Sequence, residues 1–397
     1  GYYQDFSALF GGGTFGTFQD PEIAPVGELF DQSENNSEKF GARLTYGKRD
    51  LVNIPLDLVT GFDFLRDKTF QKLAQTNRNW VPVTKFFNYA PFAQLDYQPW
   101  KWASVSGGLR WEIAELDVPG FSTIAGNRSD FQSVSVEGGS PNFDEPLFNV
   151  GLVLNPVDRF RLYGSFAEAF TMPDVGRVLR GISEEGTAVE EFLDLEPIVT
   201  DNLEFGGSYT FANAEFRVTY FESESSLGSR LVPNEDDIFE VRRQPTQTKG
   251  WELSGLWQPV DWLTLNGAYS RLQGSFDGDG DGTRESDLGA SDIGPDRLNF
   301  SADFHPQGRF SGRIQTFTFL DETFRDGSGS ETARFEGYTT VDASISADFQ
   351  PFQVSLSVSN LLDNQYITFF SQAATTRDDR FFSGRGRNFT LRVSTEF

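Results

Sequence analysis

The chain has 397 residues, 38% of them hydrophobic and 15% aromatic, with 41 Phe. Its net charge of -25 makes nucleic acid an improbable partner, because phosphate binding needs basic patches. Cys is absent and His305 is the only histidine, so disulfides, thiolate metal sites and histidine-rich metal sites are excluded.

No run approaches the length of apolar sequence that a transmembrane helix needs. A mean hydropathy of -0.39 does not exclude a membrane protein, because a barrel strand alternates and averages out as polar. GYYQDFSALF lacks the basic-then-apolar order of a signal peptide and reads like the middle of a protein.

In chain order, segment 1–18 is a candidate first strand. KFGARLTYG (39–47) and LDLVTGFDF (56–64) form the next pair. FAQLDYQPW (92–100) turns at KW into ASVSGGLRWE (103–112). LFNVGLVLNP (147–156) turns at VDRF into RLYGSFAEAF (161–170). NLEFGGSYTF (202–211) turns into EFRVTYF (215–221), and WELSGLWQP (251–259) into LTLNGAYSRL (263–272). RLNFSADF (297–304) turns at HPQGR into FSGRIQTFTFL (310–320). YTTVDASISADF (338–349) turns at QPFQ into FQVSLSVSN (352–360), and RNFTLRVSTEF (387–397) ends the chain.

These segments alternate in twos, and most have the length of a tilted membrane strand. Short turns alternate with long connections at 114–145, 171–198, 225–247, 273–294 and 367–385. A soluble sandwich or propeller would not put every long connection on one side. The pattern predicts an all-β, antiparallel transmembrane β-barrel of about 15–16 strands in this chain, with short periplasmic turns and long extracellular loops.

The apolar parity then meets lipid, and Arg110, Glu112, Asp342, Asp348, Arg392 and Glu396 point inward. Trp100, Trp102, Trp251, Trp257, Trp262 and Phe397 fit interfacial girdles. The last strand is expected to close the barrel against an early one.

Several stretches carry a resemblance. SFAEAFTMPDVGRVLRG (165–181), VEGGSPNFDEPLFNVGLV (136–153), GYTTVDASISADF with VSNLLDNQYITFFSQ (358–372), and GRGRNFTLRVSTEF (384–397) resemble blocks of TonB-dependent siderophore receptors. The similarity is nearest to the ferric aerobactin-type subgroup, which takes citrate–hydroxamate siderophores. The resemblance implies a 22-stranded barrel in the outer membrane of a Gram-negative-type bacterium. It also implies an N-terminal plug that receives TonB. Residues 1–397 then read as a partial receptor barrel whose plug is not in this chain. Its partners would be the ferric siderophore, outer-membrane lipid or lipopolysaccharide, and TonB through that plug.

A ferric siderophore of this type is bulky, partly apolar and anionic, so Arg forks and aromatic faces at the mouth are the candidates. They are Arg177, Arg180, Arg242, Arg243, Tyr366, Phe369, Arg380, Phe381 and Arg385. Each Arg alone reads first as a surface cation paired with a neighbouring Asp, such as Asp378 or Asp379.

FDGDGDGTRESDL (276–288) places Asp277, Asp279 and Asp281 like the first ligands of a calcium loop, but Leu288 stands where the bidentate Glu belongs. An acidic mobile tip accounts for it as well. Apart from loop calcium, no cofactor is expected, with iron arriving only as the bound siderophore complex. His305 sits in a predicted periplasmic turn and no phosphate-binding Gly loop is present, so an enzyme is disfavoured. The alternative of another class is a passive outer-membrane diffusion channel.

Overall fold

A computed structural model describes residues 1–10, 31–124, 132–182, 184–189, 195–233, 239–290, 292–306, 308–373 and 382–395. Its main feature is one 17-stranded antiparallel sheet, in which the two-residue strand Ser286–Asp287 accompanies sixteen long ones. The long strands are β1 (Tyr2–Phe10), β2 (Ser33–Lys48), β3 (Leu56–Leu73), β4 (Arg78–Trp100), β5 (Ala103–Asp117) and β6 (Asn142–Val157). Then follow β7 (Phe160–Thr171), β8 (Ile198–Thr210), β9 (Ala214–Pro233), β10 (Phe239–Val260) and β11 (Leu263–Phe276). The last five are β12 (Arg297–Phe304), β13 (Phe310–Phe319), β14 (Tyr338–Asp348), β15 (Phe352–Ser359) and β16 (Asn388–Thr395).

Each long strand pairs antiparallel with the next in sequence, from β1 on β2 to β15 on β16. The segment expected within 1–18 supplies β1. Closure of the sheet by the last strand is not seen: among the described residues β16 pairs with β15 alone, and β1 with β2 alone. Glu396 and Phe397 lie outside the described residues.

No helix among the described residues is long and apolar enough to cross a membrane, so the crossing elements are strands. The alternation sorts their side chains as the pattern predicts. Leu44, Phe148, Phe300 and Leu391 stand exposed on the apolar parity. The opposite parity carries a polar ladder. Arg43 donates to both Asp63 oxygens, at 2.5 and 2.7 Å, and Arg110 Nη1 donates to Asp63 Oδ2 at 2.6 Å. Arg110 Nε also donates to Glu112, whose other oxygen accepts from Asn88 Nδ2 at 2.6 Å. Arg110 and Glu112 therefore face inward as expected. Such a row is stable in a water-lined interior and costly against hydrocarbon.

Aromatics edge the apolar face. Trp100 and Trp102 stack at 5.1 Å beside the β4–β5 turn, and Trp262 lies 6.3 Å from Phe304 near the β12–β13 turn. Farther up the wall, Tyr220 packs on Phe205 and Trp251 at 5.0 and 4.9 Å, and its hydroxyl donates to Glu222 at 2.7 Å. Trp251 thus belongs to the belt on the long-loop side rather than to a short turn.

One expected loop is corrected. Residues 225–247 are mostly an extension of β9 and β10, paired from Ser225↔Thr246 to Pro233↔Phe239 with one bulge at Ser225–Gly228. Arg242 and Arg243 lie on β10, not on a loop return. β3 and β4 likewise run well past the predicted segments. Beyond the bilayer no face meets lipid, so the apolar alternation that marks a strand fades while the hydrogen-bond ladder continues.

Candidate ligand-binding mouth

The long connections gather at one end of the sheet and fold there into two small cores. The first joins connections 118–141 and 172–197. Helix α1 (Val175–Arg180) is capped by Asp174, whose side chain accepts from Arg177 N at 3.0 Å. That start satisfies an otherwise orphaned N–H and fixes the chain's entry. The helix buries Val178 and Leu179, which pack with Ile182, Val189 and Leu195 against Val81 of β4 and Leu116 of β5. Val118, Val136 and the partly buried Phe121 and Val241 complete this core. Short strands Phe121–Ser122, Ser135–Glu137 and Thr187–Ala188 tie the two connections together.

The second core holds Leu288, Ala290, Ile293 and Phe324 over Leu272, Phe276, Ala333 and Phe369. The hairpin Glu322–Arg325 with Glu331–Phe335 supports it. Phe369 opens the short helix α2 (Phe369–Ala373), with its ring 5.0 Å from Phe335. Phe335 meets Tyr338 at 6.0 Å, Tyr338 meets Phe319 at 4.9 Å, and Tyr338 stacks on Tyr366 at 4.3 Å. Gly384 packs against the Tyr366 ring so closely that any side chain there would make the ring shift.

The candidate cations take different places. Arg177 pairs with Asp174 at 2.9 Å. Arg180 donates to Gln71 Oε1 of β3 at 3.1 Å and lies 4.8 Å over the Trp80 ring of β4, so it ties the helix to the wall. Arg243 donates to the carbonyls of Glu196, Pro197 and Leu227 at 2.7, 3.3 and 2.9 Å, holding the first loop body against the β9–β10 arm. Arg242 and Arg385 are exposed. Tyr366 and Phe369 are brought together in one aromatic row through Phe335 and Tyr338, whereas Arg380 and Phe381 lie outside the described residues. Sequence reasoning missed Arg230, Trp80 and Tyr338. Arg230 has no aromatic or basic cluster around it in sequence, and its partners come from other strands.

Asp277, Asp279 and Asp281 do converge, and Glu285 joins them, with ligand-type oxygens all within 4.8 Å of one another. Asp277 is buried, and its two oxygens accept from Gly280 N at 2.6 Å and Gly282 N at 2.8 Å. Both glycines have positive φ, 80° and 91°, which this tight turn requires. Asp277→Ala is expected to leave two amides without their acceptor, at a local cost of about 1–3 kcal/mol. Faster protease cutting within 277–285 is the readout. The turn's own hydrogen bonds predict protection of the unaltered loop without added calcium, and a parallel digestion with calcium checks that.

Residues 1–361 match the family described as "TonB dependent receptor-like, beta-barrel". The chain is 24% identical over 416 residues to the ferric aerobactin receptor of Klebsiella pneumoniae, covering 93% of this chain and 54% of that protein. It is 22% identical over 350 residues to the rhizobactin receptor of Rhizobium meliloti (strain 1021), covering 78% of this chain and 43% of that one. The chain spans about half the length of these curated relatives. Among solved structures, the copper transporter OprC superposes with a TM-score of 0.76 at 16% identity, over 100% of this chain and 62% of that one. The ferric citrate transporter FecA gives a TM-score of 0.65 at 14% identity, over 92% and 55%. At such identities the solved structures show the fold alone.

Proposed function

The chain belongs to the TonB-dependent receptor-like β-barrel family, and on that premise we propose that it forms the wall and mouth of an outer-membrane receptor for a ferric siderophore. The observation that carries this reading is the family match across 1–361, which includes the strands that frame the loop-built mouth. Receptors for aerobactin and rhizobactin among the relatives support a citrate–hydroxamate type of ligand. Uptake into the periplasm would draw on TonB through a plug domain, and outer-leaflet lipid or lipopolysaccharide would meet the apolar face.

The mouth offers what such a ligand needs. Arg242 and Arg385 present permanent cations with forked donors, and Arg380 belongs to the same proposed set. The row Phe369–Phe335–Tyr338–Tyr366, with Phe381 nearby in sequence, offers aromatic area with few rotors. Arg180 and Arg243 act by holding the loop bodies that shape the funnel, and Arg177 pairs with the helix cap Asp174. Combined replacement of Arg177, Arg180 and Arg380 by Ala is expected to weaken ferric-siderophore binding by about tenfold or more, through one lost charge-assisted contact at Arg380 and a loosened helix at Arg177 and Arg180. Tryptophan fluorescence quenching by ferric aerobactin reads it, and unchanged affinity would remove these residues from the mouth's function.

A further inference from the structure

Past its bulge, β9 places Arg230 directly opposite Arg242 on β10. Like charges directly opposite on paired strands repel. The chain has 58 acidic residues against 33 basic ones, yet among the described residues one carboxylate reaches this pair. It is Asp292, whose Oδ2 lies 3.5 Å from Arg230 Nε.

Arg230 is otherwise held by Gln244 Oε1, 3.2 Å from Nη1, and by the Phe276 ring, 3.5 Å from its Cζ. Its Nε is buried and finds no hydrogen-bond acceptor. Buried donors are normally satisfied, so this one marks a deficit. Arg242 is exposed and makes no ion pair among the described residues. Among the described residues, two permanent cations therefore share one carboxylate. Burial also lowers the Arg230 pKa and raises that of Asp292, so neither charge is comfortable as the pair stands.

We propose that Arg230 and Arg242 form a carboxylate-binding subsite at the rim of the mouth, and that a ligand carboxylate competes with Asp292 for Arg230. The identity of the ligand, a metal chelate with free carboxylates, rests on the siderophore reading. The chemistry of the subsite does not. Guanidinium forks donate to a carboxylate in a bidentate fashion, and the exposed Arg242 provides the first contact. Asp292 belongs to connection 277–296, next to Ile293 and close to Leu288 and Ala290 of the second core. Displacing its carboxylate loosens one tie between that connection and the β9–β10 arm. Ligand binding at Arg230 is thereby coupled to the position of the connection.

The test is a calorimetric titration of the protein, purified from membranes in detergent, with citrate as the carboxylate probe and with inorganic phosphate as the headgroup-like probe. Citrate is expected to bind saturably and more tightly than phosphate. Arg242→Gln and Arg230→Gln are each expected to weaken citrate about tenfold, the value of one charge-assisted bond. Asp292→Asn should tighten citrate, because the competing charge is gone while the shape is kept. Arg242 is exposed, so its variant stays informative even if Arg230→Gln fails to fold. Unchanged citrate affinity in Arg242→Gln, weaker citrate binding in Asp292→Asn, or tighter binding of phosphate than of citrate each overturns the subsite. A ferric citrate–hydroxamate siderophore titrated in parallel separates the two readings. If it fails to bind while citrate behaves as stated, the receptor reading falls and the subsite stands. If it binds and ignores all three variants, the subsite falls and the receptor reading stands.

Discussion

Leu179→Ala is expected to undock both loop bodies of the first core while leaving the barrel wall folded. Leu179 is 0% exposed and sits where α1 meets Val81 of β4 and Leu116 of β5. Truncating a fully buried Leu costs about 2–5 kcal/mol, transfer and cavity together. A loop core of this size has few other contacts to absorb such a loss, so the effect concentrates on 118–141 and 172–197. Amide exchange should rise there by two or more orders of magnitude at the upper half of that range, with no change in β11 to β15. Leu179→Met keeps the volume and is expected to cost less than about 1.5 kcal/mol. Equal exchange in the alanine variant and the parent would mean that α1 does not anchor the mouth. Because Arg180 and Arg177 ride on the same helix, ferric-siderophore binding should fall with it.

Phe300→Arg is expected to be the most damaging change on the wall. Phe300 lies on the apolar parity of β12, opposite Gly267 of β11 and Thr316 of β13, and is exposed. In the bilayer midplane an arginine on the lipid face of a barrel costs about 2–4 kcal/mol. Its neighbour Asn299 takes the other parity, opposite Ala268 and Phe317. Asn299→Arg is therefore expected to cost far less, because it reaches the watered interior. Urea titration of folding into bilayers, read by tryptophan fluorescence, compares the two. A similar loss for both, or a larger loss for Asn299→Arg, would break the assignment of lipid and interior faces.

The contrast between these two neighbours is also what made the wall legible in sequence. In RNFTLRVSTEF, Phe389, Leu391 and Val393 share a parity, and all three are exposed on one face of β16. Wherever lipid covers one face and water the other, a period of two is forced on the sequence. The arm of β9 and β10 shows where that force ends. Between Ser225 and Thr246 the strands are flanked by loop bodies, and Gly228, Pro233 and Pro245 stand among polar residues. No apolar alternation is demanded there, so the stretch reads as a loop.

The mouth was partly legible for a different reason. Arg177, Arg180 and Arg243 stand out in sequence as cations, and the structure gives the last two partners that sequence could not supply. Asp174 is three residues away from Arg177, but Gln71 lies 109 residues from Arg180, and Glu196 lies 47 from Arg243. Arg230 and Asp292 were invisible because a chain so rich in Asp offers no reason to single out one of them. Only the facing of Arg230 on Arg242, with Asp292 the one carboxylate that reaches them among the described residues, singles the pair out. The spacing of Asp277, Asp279 and Asp281 is visible in sequence, whereas Glu285, which lies with them in the fold, is not, because a helical calcium loop would place its Glu later.

The most direct test of the account is uptake of radiolabelled iron, supplied as a ferric citrate–hydroxamate siderophore, by iron-starved cells with and without the intact gene. The account predicts saturable uptake that needs the gene and stops when TonB is removed. Equal uptake in cells lacking the gene, or uptake that continues undiminished without TonB, would contradict it.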